Sequence, residues 1–341
     1  MDPKPPSVDD KRTPDPAAWR FCVAPMMACT DRHYRHFARL LSQHARLYTE
    51  MVVAQAVLHG PRERLLAFGE VEHPVALQLG GSDPGVLAAA ARIGAAAGYD
   101  EINLNVGCPS DRVQAGRFGA CLMKEPALVA DCVAAMRDAV SIPVTVKTRL
   151  GVDDLDSYDA LAGLIARIRD AGCRVVLLHA RKALLNLDTR ANRQIPPLDY
   201  PRVHRIKADF PELCIVLNGG LGSLEECLPH LPALDGVMLG RAAYDRPLLL
   251  QEVDARLFGQ PAQSPRSALA LLAAFMPYLE AEYARGTPLR VMTKHLCGLF
   301  HGRPGARDWR RLLSGEAGAW LTPAELRATI TSRQHAESLT A

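Results

Sequence analysis

Asp100-Glu101-Ile102-Asn103-Leu104-Asn105-Val106-Gly107-Cys108-Pro109-Ser110 is the stretch whose reading decides the fold of this chain. A strand over 101–105 runs into a Gly-Cys-Pro turn, which leaves one cysteine on a constrained backbone at the strand's carboxyl end. In α/β folds with parallel strands, chemistry gathers at that end. A thiol placed there is a candidate acid or nucleophile.

On either side of this stretch, short apolar or β-branched runs alternate with longer helical patterns. The segments 21–25, 47–51, 74–79, 101–105, 143–148, 174–179, 214–217 and 236–239 read as strands. Between them, Tyr34, Phe37, Leu40 and Leu41 follow helical spacing, and Ser82 and Asp83 can cap an Ala-rich helix that stops at Gly98. Helices are also expected over 126–140 and over 157–171, the latter stopped by Gly172. Eight strand–helix units in succession favour a closed (β/α)8 TIM barrel, an α/β fold, with an open doubly wound sheet as the alternative.

After a linker at 261–265 the pattern is helical only, over 269–285 and 289–300, then a basic turn, then 312–321. The expected organisation is a disordered leader over 1–19 and a catalytic barrel over 20–258. A small all-helical C-terminal domain over 266–332 and a frayed tail over 333–341 follow.

Composition narrows the class. Among 341 residues, 48% are hydrophobic and 23% charged, as suits a folded chain with a large core. Net charge is only +3, so contact with nucleic acid must rest on a local patch. The nine cysteines are scattered and contain no C-x-x-C pair, which argues against a disulfide framework and against a metal site. No apolar run approaches about 18 residues, so no membrane span is expected. A reducing cytoplasm is the default compartment, and a monomer is expected.

The strand ends carry chemistry in combination. They supply Ala24-Pro25-Met26, Gln78, Asn105 with Cys108, Lys147 with Arg149, His179 with Arg181 and Lys182, Asn218-Gly219-Gly220, and Gly240-Arg241. A lone lysine or histidine at a strand end more often serves an ion pair or a structural hydrogen bond. Here the last two barrel positions both carry glycine turns, the arrangement that lets backbone N–H groups approach a phosphate. Lys147, Gln78 and His179 could then ring a planar heterocycle attached to that phosphate. FMN fits such a layout, because a cation beside the flavin N1–C2=O edge stabilises its anionic reduced form.

These motifs resemble a known family. Ala24-Pro25-Met26 with Thr30-Asp31, Tyr48-Thr49-Glu50-Met51, Gln78-Leu79-Gly80-Gly81, the 103–110 stretch, Val146-Lys147-Thr148-Arg149, His179-Ala180-Arg181 and Asn218-Gly219-Gly220 look like the tRNA-dihydrouridine synthases, over roughly 21–320. Asp111-Arg112-Val113-Gln114, the 118–123 stretch and Arg181-Lys182-Ala183 resemble subfamily A, whose members act on D-loop uridines 20 and 20a of tRNA. The resemblance implies an FMN barrel, a helical tRNA-binding domain and NADPH as reductant, with NADH the alternative. It assigns FMN binding to Pro25, Met26, Met27, Gln78, Lys147, His179, Asn218, Gly219, Gly220, Gly240 and Arg241, and proton donation to Cys108. One departure is Ala28-Cys29, where subfamily A relatives often carry Asp-Trp.

Saturating the 5,6 bond of uracil needs a hydride at C6 and a proton at C5. An acid within about 3 Å of C5 must deliver that proton, and a protonated Cys108 on a rigid turn meets the need. Asn103 and Asn105 offer amides to substrate or flavin carbonyls. The base must leave its stack to reach a barrel mouth, so RNA has to be gripped elsewhere. Between Arg285 and Gly315 seven basic residues face one acid, Asp308, and Arg307 with Arg310 share a helix face. Arg190 and Arg193, after the sixth strand, are further candidates for RNA contact at the D-loop and elbow. Three other readings share parts of this pattern: a small-molecule FMN dehydrogenase of the dihydroorotate or dihydropyrimidine type, a Schiff-base lyase using Lys147, and a non-catalytic RNA-binding barrel.

Overall fold

The computed structural model describes residues 15–315 and 322–340. Eight parallel strands close into a barrel: β1 (Phe21–Val23), β2 (Arg46–Tyr48), β3 (Val75–Gly80), β4 (Glu101–Val106), β5 (Val144–Arg149), β6 (Val175–His179), β7 (Cys214–Asn218) and β8 (Gly236–Leu239). Each strand pairs with the next, and β8 returns to β1 with Val237 beside Phe21 and Met238 beside Cys22. A two-residue strand, Val52–Val53, adds to the end of β3. The closed barrel expected from the strand–helix alternation is thus the fold, and the open sheet is not. The first two strands stop sooner than expected, before Pro25 and after Tyr48.

Period-two alternation explains why the ladder closes with one face inward. Along β4, Ile102, Leu104 and Val106 alternate with Glu101, Asn103 and Asn105, and all six are buried. The apolar set faces the surrounding helices, and the polar set faces the barrel axis. The rest of the interior is lined by Cys22, Ala24, Val175, Leu177, Cys214, Val216 and Met238, a continuous apolar cluster. Outer helices begin where the sequence provides caps. The Asp83 side chain accepts from Val86 N at the start of Pro84–Ala96, Ser157 from Ala160 N before Tyr158–Asp170, and Asp199 from Arg202 N at the start of Tyr200–Asp209. Gly172 ends its helix in the left-handed region, at φ +89°.

Three terminal expectations need correction or fall outside the described residues. Pro16–Trp19, assigned above to the disordered leader, is a 3-10 turn whose Trp19 is 1% exposed, because its indole closes the floor of the barrel. Residues 1–14 lie outside the described residues. The helix expected over 312–321 instead runs Ala306–Ser314, since Gly315 adopts φ +80° and stops it; residues 316–321 lie outside the described residues. The tail expected to fray past Arg333 belongs to a helix, Pro323–Thr340.

The chain divides into two compact units. One holds the barrel strands, up to Ala28 and from Ala45 to Gly240; the other combines Cys29–His44 with the chain from Arg241 onward. Within the second unit, Arg32–Arg39 packs with Ala268–Ala284, with Phe37 and Phe275 meeting edge to face at 5.5 Å. Asp31 caps that first helix and also accepts from Nε2 of the fully buried His295 at 2.9 Å. The helical unit therefore recruits an element from between β1 and β2 and does not start at the linker near Pro265. Among the described residues no helix is long and apolar enough to cross a membrane.

Gly236 opens β8 where a Cβ would lie 2.0 Å from the Trp19 carbonyl oxygen, a backbone atom that cannot move aside without shifting the floor. We expect Gly236→Ala to lower stability by about 2 kcal/mol or more, read as a lower urea midpoint with unchanged slope. An unchanged midpoint would show that the floor yields freely.

Candidate active site

Strand register gathers the functional side chains in layers. Asn105 pairs with Lys147, Arg149 with His179, and His179 with Asn218, so neighbouring strands present these residues at similar depth. Lys147 Nζ donates to Asn218 Oδ1 at 2.9 Å, and Asn218 Nδ2 donates to the Met238 carbonyl at 2.8 Å. Burial, aided by the nearby Arg149 guanidinium, depresses the lysine from 10.5 to about 7. His179 is held well below its usual value by burial and by four cations, Arg149, Lys147, Arg181 and Arg193. All four charged groups that act on the imidazole are cationic, an environment that suits an anion.

Arg149 ends β5, and its role is visible only in the folded chain. Its Nε donates to the Gly107 carbonyl at 3.0 Å and its Nη1 to the carbonyls of Lys182 and Asn192, at 3.1 and 3.2 Å. All these partners are neutral carbonyls, so the guanidinium charge is not cancelled, and burial lowers its pKa to about 10. The side chain thereby ties the turn before Cys108 to the loop after β6.

The Cys108 turn is overdetermined. Asn105 Oδ1 accepts from Gly107 N at 3.1 Å and Cys108 N at 2.9 Å, while the Cys108 carbonyl accepts from Ala120 N at 2.9 Å. Gly119, at φ +74°, lets that segment pass close, since a Cβ there would sit 2.6 Å from the Cys108 oxygen. The thiol is half-buried and lies 3.4 Å from Ser110 Oγ. Most other cysteines, Cys22, Cys132, Cys173, Cys214 and Cys227, are buried, as expected of small core residues.

The remaining sequence-derived candidates lie at the other strand ends, in the loop after β6 and in the helical unit. Gly219 and Gly220 follow β7 in the left-handed region, at φ +107° and +75°, and a Cβ on Gly219 would strike the His179 ring at 2.4 Å. Gly240 follows β8 beside Met26; Pro25 and Met26 are half-buried, while Met27 is 61% exposed. Gln78 and Asn105 are buried and bonded to each other, Asn105 Nδ2 to Gln78 Oε1 at 2.8 Å. The Asn105 amide expected to bind substrate thus has both oxygen lone pairs committed to the turn. Arg193 acts on His179 and Arg149 from the loop after β6, whereas Arg190 is exposed. Arg241 opens the helix Arg241–Asp245 in the other unit, and Arg307 and Arg310 are exposed on Ala306–Ser314 of that unit. At the Ala28-Cys29 departure, Ala28 holds φ +63°, a conformation that Asp adopts more readily than Ala.

Among the described residues no group of three or more His, Cys, Asp or Glu side chains could hold a metal ion. The donor set suits an organic anion: a desolvated lysine, uncancelled guanidinium charge, left-handed Gly219 and Gly220 after β7, and Gly240 after β8. A parallel barrel that gathers such a set and a half-exposed thiol at the carboxyl ends of its strands is an α/β-barrel enzyme. Residues 22–333 match the family described as dihydrouridine synthase (Dus), and the chain belongs to that family. It is an oxidoreductase acting on a CH–CH bond.

The chain is 58% identical over 306 residues to a Xanthomonas campestris protein named tRNA-dihydrouridine(20/20a) synthase, covering 88% of this chain and 90% of that one. It is 57% identical over 300 residues to a protein of the same name from Escherichia coli K12, covering 87% and 86%. Among solved structures, an old yellow enzyme homologue from Zymomonas mobilis superposes with TM-score 0.51 at 13% identity, over 72% of this chain and 90% of that one, a likeness of fold. A lysine near pKa 7 also suits a Schiff-base lyase, but membership of a reductase family removes that alternative.

The lysine yields a pH test. Between pH 7 and 10.5 the unfolded chain keeps a proton on Lys147 that the ligand-free folded chain has shed, so this group's penalty shrinks as pH rises through that window. Lys147→Met should flatten the rise and leave the ligand-free chain no less stable at pH 7. Urea melts across the window check this; an unchanged slope would show that the amine is solvated.

Proposed function

We propose that the enzyme reduces the C5–C6 double bond of D-loop uridines of tRNA, at positions 20 and 20a, with bound FMN and with NADPH as reductant, NADH being the alternative. The name shared by relatives 56–58% identical over most of their length supports the substrate. The observation that carries the chemistry is Cys108, a half-buried thiol on a turn held by three backbone hydrogen bonds beyond the carboxyl end of β4.

Gln78, Lys147, His179, Asn218, Gly219, Gly220 and Gly240 would hold the cofactor, with Pro25, Met26 and Met27 beside β1 and Arg241 after β8. FMN supplies a hydride when bound. The other roles fall to this chain's residues. Lys147 Nζ takes up a proton when negative charge arrives beside it, because its pKa near 7 lets a nearby anion reverse the desolvation penalty. The backbone N–H groups at Gly219, Gly220 and Gly240 suit a phosphate, and the neutral His179 ring offers an uncharged donor. Cys108 delivers its thiol proton to C5 of the uracil, and Arg149 keeps the turn in place through the Gly107 carbonyl.

RNA is gripped through phosphates. Lys294 lies 3.7 Å from Asp31 and Arg285 pairs with Glu282, so these two cations are partly committed within the protein. Arg303, Arg307 and Arg310 are exposed and form no ion pair among the described residues. They are the proposed phosphate contacts of the helical unit, and Arg190 and Arg193 are those proposed for the barrel unit. A monomer in a reducing cytoplasm is the proposed setting.

Cys108→Ala is expected to retain FMN while dihydrouridine formation in tRNA, measured by mass spectrometry of nucleoside digests, falls by about 100-fold or more; full turnover would remove the thiol from the mechanism. Arg307→Ala combined with Arg310→Ala should weaken tRNA binding and reduce the slope of log Kd against log salt by about 1–2, leaving flavin content unchanged. Equal affinity and equal slope would place the RNA elsewhere.

A further inference from the structure

Glu101 stands at the floor of the barrel, fully buried, and accepts four hydrogen bonds: from Trp19 Nε1 at 2.9 Å, Arg46 Nη1 at 3.2 Å, Tyr48 OH at 2.8 Å, and Thr145 Oγ1. A carboxylate can only accept, so the single Thr145 hydroxyl hydrogen is spent on it and Thr145 Oγ1 must accept from elsewhere. It does, from Asn103 Nδ2 at 2.7 Å. That orients the Asn103 amide, whose Oδ1 then accepts from Gln78 Nε2 at 2.7 Å. Gln78 is left with Oε1 to accept from Asn105 Nδ2 at 2.8 Å, and Asn105 is left with Oδ1 to accept from Gly107 N and Cys108 N. Every donor in the chain points back toward Glu101.

The run spans roughly 13 Å along β4 at about 3.3 Å per residue. It is confined to β3, β4 and β5, whereas β6, β7 and β8 fill the interior with apolar side chains. Apolar residues would fill the space below the turn equally well. What an amide column adds is one allowed orientation per amide, since a flip in a dry interior breaks two hydrogen bonds at once.

We propose that Glu101 is a positioning residue for uridine reduction: its charge sets the polarity of the Thr145–Asn103–Gln78–Asn105 chain and thereby holds the Gln78 amide and the Cys108 turn in one arrangement. The catalytic consequence rests on the function proposed above; the structural coupling does not. Cys108 is the reacting group, and Glu101 acts on it through four intervening side chains.

Thr145→Val tests the coupling, since it keeps the shape and the Glu101–Arg46 pair but removes the first link. Hydrogen exchange followed by mass spectrometry, on the chain without flavin or tRNA, should show protection of the Gly107 and Cys108 amides reduced by about tenfold or more. In the full assay kcat should fall by about 10- to 100-fold, the scale of a misplaced catalytic group, with the KM for tRNA within about twofold. Thr145→Ser should restore both. Asn103→Leu cuts the chain one link nearer the turn, leaves Glu101 its four donors, and gives the same loss should the valine variant not fold. Unchanged protection at Gly107 and Cys108 in the folded valine or leucine variant overturns the proposal, as does equal impairment in the valine and serine variants. If protection falls in the valine variant and returns with serine while the wild type leaves tRNA uridines unreduced, the coupling stands and the functional reading fails.

Discussion

A carboxylate enclosed in a barrel floor with no access to water must be met by donors from several directions or the strands around it will not close. Glu101 is met by an indole, a guanidinium, a phenol and a hydroxyl, drawn from three stretches of chain: the 16–19 turn, β2 and β5. Arg46, whose guanidinium lies 4.4 Å from the Trp19 ring centroid, neutralises the charge and is itself shielded from water. The hydroxyl of Tyr48 is forced to remain a donor, because burial and the adjacent carboxylate raise its pKa well above the ordinary phenol value. The 16–19 turn, β2, β4 and β5 are thereby brought to a common register at the floor, and the site above inherits that register.

The same exclusion of water acts with opposite sign at the strand ends. There the buried groups are bases, and burial drives Lys147, Arg149 and His179 toward their neutral forms. The barrel thus carries a satisfied negative charge at one end and unsatisfied positive character at the other. The polar half of the interior lies between them, under the Cys108 turn. An anion at the upper end would relieve the desolvation that the ligand-free fold imposes on these groups, which is the physical basis of the cofactor site proposed above.

Much of this was legible in one dimension. The strand–helix alternation specified the barrel, and the Gly-Cys-Pro turn after β4 located the thiol. The inward polar set Glu101, Asn103 and Asn105 at spacing two was also visible in the sequence, although only its upper members were read as functional. Arg149 has no distinctive local signature, since a guanidinium at a strand end is common; its role emerges from carbonyls 33 to 43 residues away. Trp19 was placed in a leader because prolines and charges around it resemble a disordered segment, while its partner Glu101 lies 82 residues on.

By itself the sequence determined the periodicities, the caps, the left-handed glycines and the turn that presents Cys108, since each follows from steric and hydrogen-bonding rules over a few residues. Tertiary structure alone decided which donors reach Glu101, that Lys147 meets Asn218, and that Arg32–Arg39 leaves the barrel for the helical unit. Those outcomes depend on how eight strands align when the ladder closes. A one-residue slip would turn every inward side chain outward without altering any local rule.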